Sequence, residues 1–459
     1  MFTMLAFLTA CAGGPSDERE KAKDTGETPE VAAGPASIAT VDEAIVTLAR
    51  VTWTTDAATV GFVEFGPDTS YGWSTPTNSV AVAAHEAILF GLTGETTYHF
   101  RAVTVGEDGV EVPGPDQTVT TGSIPAEVPT FTEVIPVNSP GLGPWVLTSA
   151  LDPGGDKGFI LVLGLDGKVV WYLATDSGAA ASARPTADGA GIYFVTFHEA
   201  DPTAARLTVM GWDGVVRSEL EVPFAHHDAV ELPEGGWVTA ISEMREVGDE
   251  TIAGDTIVEL ALDGSQRVVW SAWDSLRMVE NKGWTTSRFP DAIDWTHVNG
   301  IEYDPVELAY YVSFYYPECV VKIDRGTGET IWQLGGDDNE FQFIDDDGFG
   351  PQHAPQVVPG GLRVFDNNDS TGSRAVEYQI DDVGMTVSMT WSFAPPEKIW
   401  ALALGDVARY ADGSALVTYG SGREIFAVAA DGSITGQLEV DQFVALGSSA
   451  SIADFDRAQ

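Results

Sequence analysis

The chain has 459 residues, with 23 Lys+Arg against 69 Asp+Glu and a formal net charge of −46. That charge repels polyanions and no basic run offsets it, which excludes DNA, RNA and an anionic membrane face as partners. Two cysteines are too few for a disulfide-stapled scaffold or a cysteine zinc module, while 44% hydrophobic residues with 49 Gly and 25 Pro point to short strands joined by turns.

Residues 1–11, MFTMLAFLTAC, form a brief apolar run closed by small residues and a cysteine, the shape of a secretory signal. The run is shorter than the ~20 apolar residues of a bilayer span, and Leu8-Thr9-Ala10-Cys11 resembles the bacterial lipobox. The expectation is an exported bacterial lipoprotein at the outer membrane, in the periplasm or on the cell surface, with membrane attachment only through a lipidated Cys11. Residues 12–36 are charged and small without aromatics, which predicts a flexible tether.

Residues 37–122 carry the strand-like runs IVTLARVTWTT, TVGFVEFGP and HEAILFGLTGETTYHFRAVTV, punctuated by turn residues as in an all-β sandwich. Trp53 and the Leu92–Tyr98 segment resemble a fibronectin type III module, with Tyr98 as its tyrosine corner. His85 and His99 are read as structural or surface residues there. SIPAEVPTF, 123–131, is a proline-bearing linker.

From 132 to 459 the chain repeats itself: a hydrophobic strand, a tight turn and a second hydrophobic strand recur six times. The turn glycines are Gly167, Gly214, Gly264, Gly328, Gly384 and Gly432, 47 to 64 residues apart. Asp-Gly turns favour hairpins because they supply positive φ, and a repeat of this length holds four strands, so the predicted fold is all-β, a six-bladed β-propeller. Trp171, Trp270, Trp332 and Trp391 follow the turn in four repeats and are expected to pack between blades.

The propeller holds His198, His226, His227, His297 and His353. In three consecutive repeats an earlier hairpin opens on histidine: FAHHDAVELPEGG, DWTHVNGIEYDP and GPQHAPQVVPGG. Prolines align His227 with His353, each six residues before Pro233 and Pro359, and His297 opens the corresponding strand. The equivalent segments ASARPTADG and ALGDVARYADG lack histidine. Equivalent positions on innermost strands converge at one mouth of the central channel, so His297, His353 and His227, with His226 beside it, are predicted to meet there; His198 is read as structural. Three imidazoles can hold zinc with a fourth position open, or serve as nucleophile, acid and hydrogen-bond donor. Spacing does not choose between these.

The stretch DWTHVNGIEYDP, VVKIDRGTGETIWQLGG, FGPQHAPQVVPGGLRVFDN and SRAVEYQI resembles the bacterial PAPS-independent arylsulfate sulfotransferase (arylsulfotransferase) family, over most of 132–459 and most densely from Asp294 to Ile380. The resemblance implies an enzyme that moves a sulfuryl group from a phenolic sulfate ester to a phenol through a sulfated histidine, with no cofactor and no metal. It implies His353 as nucleophile, and His297 with His227 or His226 as sulfuryl-oxygen donors or proton carriers, with Asn299 of the HxN motif at the substrate.

One departure stands out. The family arginine after the HxN histidine is replaced by Tyr315, which offers one hydrogen bond and no fixed charge. Arg374, 21 residues beyond His353, is the candidate to reach inward instead, or else an exposed strand-end arginine. Two rival readings follow: a propeller without turnover that binds an aromatic or anionic ligand, and a metal-dependent hydrolase with histidine ligands. Trp295, Phe314, Tyr315, Tyr316 and Trp400 are candidates for a slot that stacks flat phenolic rings, and equally for core. The acidic segment 335–350 is read as a solvated rim, and Cys319 as an inert thiol.

Overall fold

The computed structural model describes residues 34–453, apart from 153–156, 176–177, 199–200, 279–288, 290–291, 345–347 and 368–370. Cys11 and nearly all of the tether lie outside the described residues.

Strands from Trp145–Leu151 onward form six antiparallel sheets of four principal strands each, the six blades of a propeller. The sequence dictates the outer hairpin of every blade. Gly167, Gly214, Gly264, Gly328 and Gly432 all adopt left-handed backbone, with φ of 76°, 76°, 81°, 72° and 84°. In blade five the left-handed residue is Met385 (φ 49°), one place after Gly384. The ladder then slips at one equivalent point in all six hairpins, between Val162/Leu163, Val209/Met210, Ile257/Val258, Lys322/Ile323, Glu377/Tyr378 and Ala427/Val428. Such a bulge sharpens the local twist, and its sixfold recurrence gives the sheets a common curvature. Trp171, Trp270, Trp332 and Trp391 sit opposite this bulge. The Trp171 indole donates to the Trp212 carbonyl at 2.9 Å, and that of Trp270 to the Thr330 hydroxyl at 3.0 Å, each in the next blade. Arg409 of blade six lies over the Trp391 ring. Apolar clusters accordingly fill the spaces between successive blades.

A ring of blades needs closing, and both ends of the repeat region do it. The C-terminal strand Ala445–Ile452 is the innermost strand of blade one, and Phe131–Ile135 adds a fifth strand to the outer edge of blade six. The linker thus ends inside the ring, at Phe131.

Ahead of the ring, Ala49–Gly66 is one continuous strand where the sequence suggests two. Its first part pairs with Ser37–Val41 and Val82–Leu89, and its second with Trp73–Ser74 and Thr97–Val105. Tyr98 is buried and its hydroxyl accepts the Thr93 N–H at 3.0 Å, closing a corner. His85 stacks on Trp53 at 4.7 Å, and His99 pairs with Asp116. Ile45, Leu48 and Ile88 of this module share a core with Trp171 and Trp212, so it docks on blades one and two. At roughly 1.5–3 kcal/mol per fully buried aliphatic side chain, these contacts favour a fixed attachment.

Candidate active site

In blades three to six, the chain approaches the channel through a non-glycine residue in left-handed backbone: His227 (φ 60°), His297 (51°), Ala354 beside His353 (50°) and Leu404 (57°). That conformation costs on the order of 1–3 kcal/mol per residue and is held in place by surrounding structure, commonly at functional sites. The innermost ladders also slip there, between His226/Ala229, Val298/Gly300 and His353/Gln356. Each bulge re-aims the residues that it leaves unpaired: His227 and Asp228, Asn299, and Ala354 and Pro355.

The rings meet. His227 and His297 lie 4.7 Å apart between centroids, and Tyr315 bridges His297 at 5.7 Å and His353 at 5.6 Å. Phe197 stacks on the other face of this group, 5.4 Å from His227, and Tyr316 touches His297.

What stands behind each imidazole differs. His226 and His227 share a hydrogen bond between Nδ1 atoms at 2.8 Å, and His226 Nε2 donates to Asp255 at 3.0 Å. Asp255 also receives the Ser242 and Thr296 hydroxyls and the Val298 N–H, so its carboxylate is fully buried yet saturated with donors. With Nε2–H of His226 committed to Asp255, Nδ1 is the atom through which it shares a proton with His227. His297 donates from Nδ1 to buried Asp294 at 2.6 Å. His353 is backed by an amide instead. Asn367 spends its NH₂ on the Ala401 and Leu404 carbonyls, so its Oδ1 can only accept from His353 Nδ1, at 2.7 Å. Leu404 N–H donates to His353 Nε2 at 3.2 Å, which marks that atom as the lone pair. Burial pushes the His353 imidazole down to about 3, with the His297 charge adding to the effect and the Asn367 bond partly opposing it.

Alongside these rings the channel holds a cavity of about 300 Å³ to which all six blades contribute, through Ser449, Arg184, Asp228, Asn299, His353 and Asp406 among others. Arg184 makes a two-pronged bond to Asp228 (3.0 and 2.7 Å) and a third to Glu302 (3.3 Å). Sequence reasoning missed Arg184 and Asp406, although both lie in the two segments that lack histidine, ASARPTADG and ALGDVARYADG. Neither stands at the histidine position itself: in the ladder registers Asp406 matches Asp228, one place after His227, and Arg184 matches Val230 further along the strand. Asp294 carries a weaker signal, three residues before His297. Asp255 has none, being 29 residues from His226 and brought there only by the fold.

The other candidate residues take different places. Arg374 is not among the residues lining the cavity: its guanidinium donates to buried Asp366 at 2.8 Å and to the Gly348 carbonyl at 2.7 Å. Trp295 and Phe314 are core, 1% and 0% exposed, leaving Tyr315 and Tyr316 beside the imidazoles and Trp400 exposed. Tyr315 lies between His297 and His353, and its hydroxyl donates to the Leu402 carbonyl at 3.0 Å. Asn299 is among the residues lining the cavity. Cys319 is fully buried, and burial raises its thiol far above the usual range. Among the described residues, no group of three or more His, Cys, Asp and Glu side chains is placed to hold a metal ion.

Comparison with solved structures finds a protein of unknown function from Bacteroides caccae, with 13% identity over 66% of this chain and 98% of that one and a TM-score of 0.44. A nidogen/laminin complex (11%, 67% and 98%, 0.43) and the Cps50 (Swd1) β-propeller domain from Myceliophteria thermophila (11%, 67% and 89%, 0.39) are similar to the same degree. No curated protein sequence matches the chain. The profile of arylsulfotransferase (ASST) proteins matches residues 146–437, more than half of the length and all six blades. The chain belongs to the arylsulfotransferase family.

Proposed function

We propose that the protein transfers a sulfuryl group between phenols through a sulfated His353. The observation that carries this is the difference in backing: buried carboxylates stand behind the His226–His227 pair and behind His297, while an amide stands behind His353. A carboxylate balances an imidazolium, so His227 and His297 suit proton transfer. An amide brings no charge to balance an imidazolium, and burial outweighs the bond that it accepts, so His353 stays neutral and nucleophilic.

In the first step His353 Nε2 attacks sulfur and the S–O bond to the aryl group breaks. The departing phenolate oxygen takes a proton from a carboxylate-backed imidazolium, leaving it a neutral imidazole. Leu404 N–H, released from Nε2, becomes a donor to a sulfuryl oxygen. In the second step an acceptor phenol returns its proton to that imidazole and its oxygen attacks sulfur. The N–S bond breaks and the lone pair returns to Nε2. Charge spreads over the sulfuryl oxygens much as in phosphoryl transfer, so positioning and donors supply most of the catalysis. Phenolic sulfate esters and phenols are the partners. We also propose anchoring through lipidated Cys11 and a spacer role for a fibronectin type III-like module at 37–122.

The test is nitrophenol release from 4-nitrophenyl sulfate, with and without phenol. A burst without acceptor, sustained turnover with it, and a mass gain of one sulfuryl group on the His353 peptide are expected, all lost in His353→Ala. No release from any aryl sulfate, with the protein folded, overturns the proposal in favour of a binding propeller.

A further inference from the structure

Resting on the sulfuryl-transfer reading, we propose that the channel cavity selects acceptor phenols that carry a positively charged amine. Two independent features point there. The first is Asn299, 7% exposed and lining the cavity. Its NH₂ donates to the Gln352 carbonyl at 2.5 Å, which leaves Oδ1 as an acceptor, and that buried oxygen has no protein partner. A sulfuryl oxygen cannot satisfy it, because both atoms only accept. A group bearing N–H or O–H can. An unmet buried acceptor is destabilising, and a ligand donor recovers that cost.

The second feature is the sign of the remaining wall. Arg184 is the cation there, and its hydrogen bonds to Asp228 and Glu302 match one positive charge with two carboxylates. Asp406 then stands without a cationic hydrogen-bond partner. The donors it receives are the Val407 and Ser449 N–H groups and the Gln356 amide, all neutral. Burial holds the Asp406 carboxyl up at about 6, a penalty on its charge that a bound cation relieves. The imidazoles at one side grip the reacting ester, and this acidic, acceptor-rich wall takes the substituent. An ammonium supplies both missing elements, N–H donors for Asn299 and charge for Asp406. A phenol carrying a carboxylate meets repulsion in the same place.

The test compares three acceptors of similar size: tyramine, 4-ethylphenol and 3-(4-hydroxyphenyl)propionate, which carry positive, no and negative charge. Tyramine is expected to exceed 4-ethylphenol in kcat/KM by ten- to a hundredfold, as for a charge pair partly screened by a neighbouring guanidinium, and the carboxylate to be poorest. Calorimetry with 2-phenylethylamine against 2-phenylethanol, neither of which is a phenol, reads the same preference without turnover. Asp406→Asn is expected to collapse both ratios toward unity. A normal nitrophenol burst with equal acceptor ratios and equal binding overturns this proposal alone. An absent burst with amine-selective binding overturns the sulfuryl-transfer reading and leaves the amine site standing. The wild-type series decides the matter even if the variant does not fold.

Discussion

Replacing Asn367 by aspartate puts a carboxylate where the amide now backs His353. The imidazole, at about 3 in the native protein, is neutral at every pH above 5. A carboxylate whose charge lies ~4 Å from an imidazolium stabilises it by about 4 kcal/mol at an effective dielectric near 20, close to three pKa units. Asn367→Asp therefore moves His353 to roughly pH 6. At pH 5 the nucleophile of the variant is about one-tenth neutral, against nearly all in the parent, so its single-turnover rate of nitrophenol release falls about tenfold. At pH 8 both proteins hold a neutral imidazole and the electrostatic loss vanishes. Any loss remaining there measures the hydrogen bonds from Asn367 to the Ala401 and Leu404 carbonyls. The ratio of variant to parent rates between pH 5 and pH 8 thus isolates the charge effect, with circular dichroism to confirm folding at both ends. A ratio that does not change with pH would falsify the claim that His353 supplies the attacking lone pair.

Tyr315→Arg restores a fixed charge at the mouth, where the tyrosine hydroxyl is committed to Leu402; a rise of tenfold or more in kcat for aryl sulfates is expected, and an unchanged kcat means that the charge is supplied elsewhere. Asp255→Asn removes the carboxylate that fixes the His226–His227 proton arrangement. It is expected to cost about a hundredfold or more, with phenyl sulfate suffering more than 4-nitrophenyl sulfate because its leaving group needs the proton; equal losses would assign Asp255 a structural part only. Trp171→Ala opens a fully buried site and is expected to cost ~3–5 kcal/mol in urea unfolding. Trp391→Ala, at the equivalent but half-buried place, costs about half as much or less, and similar values would contradict the packing of these rings between blades.

The sequence by itself determined the repeat, and with it the propeller. Each outer hairpin is a local object, written in adjacent residues such as Leu165-Asp166-Gly167 and Ala430-Asp431-Gly432, whose turn chemistry and alternation act over a few residues. The same locality made His227, His297 and His353 legible, because one repeat position brings each to the axis. Only the tertiary structure decided what those histidines can do. His226 meets Asp255 across the sheet of its own blade, and His353 meets Asn367 on the neighbouring strand. Arg184 reaches Asp228 in the next blade and Glu302 in the one beyond. Ring closure also joins residues from opposite ends, pairing Trp145 with Ile452. An imidazole's charge depends on the desolvation and partners it finds within a few ångströms, and those neighbours are gathered from up to six separated stretches of chain. The order of residues names the candidates; their burial against one another assigns the proton.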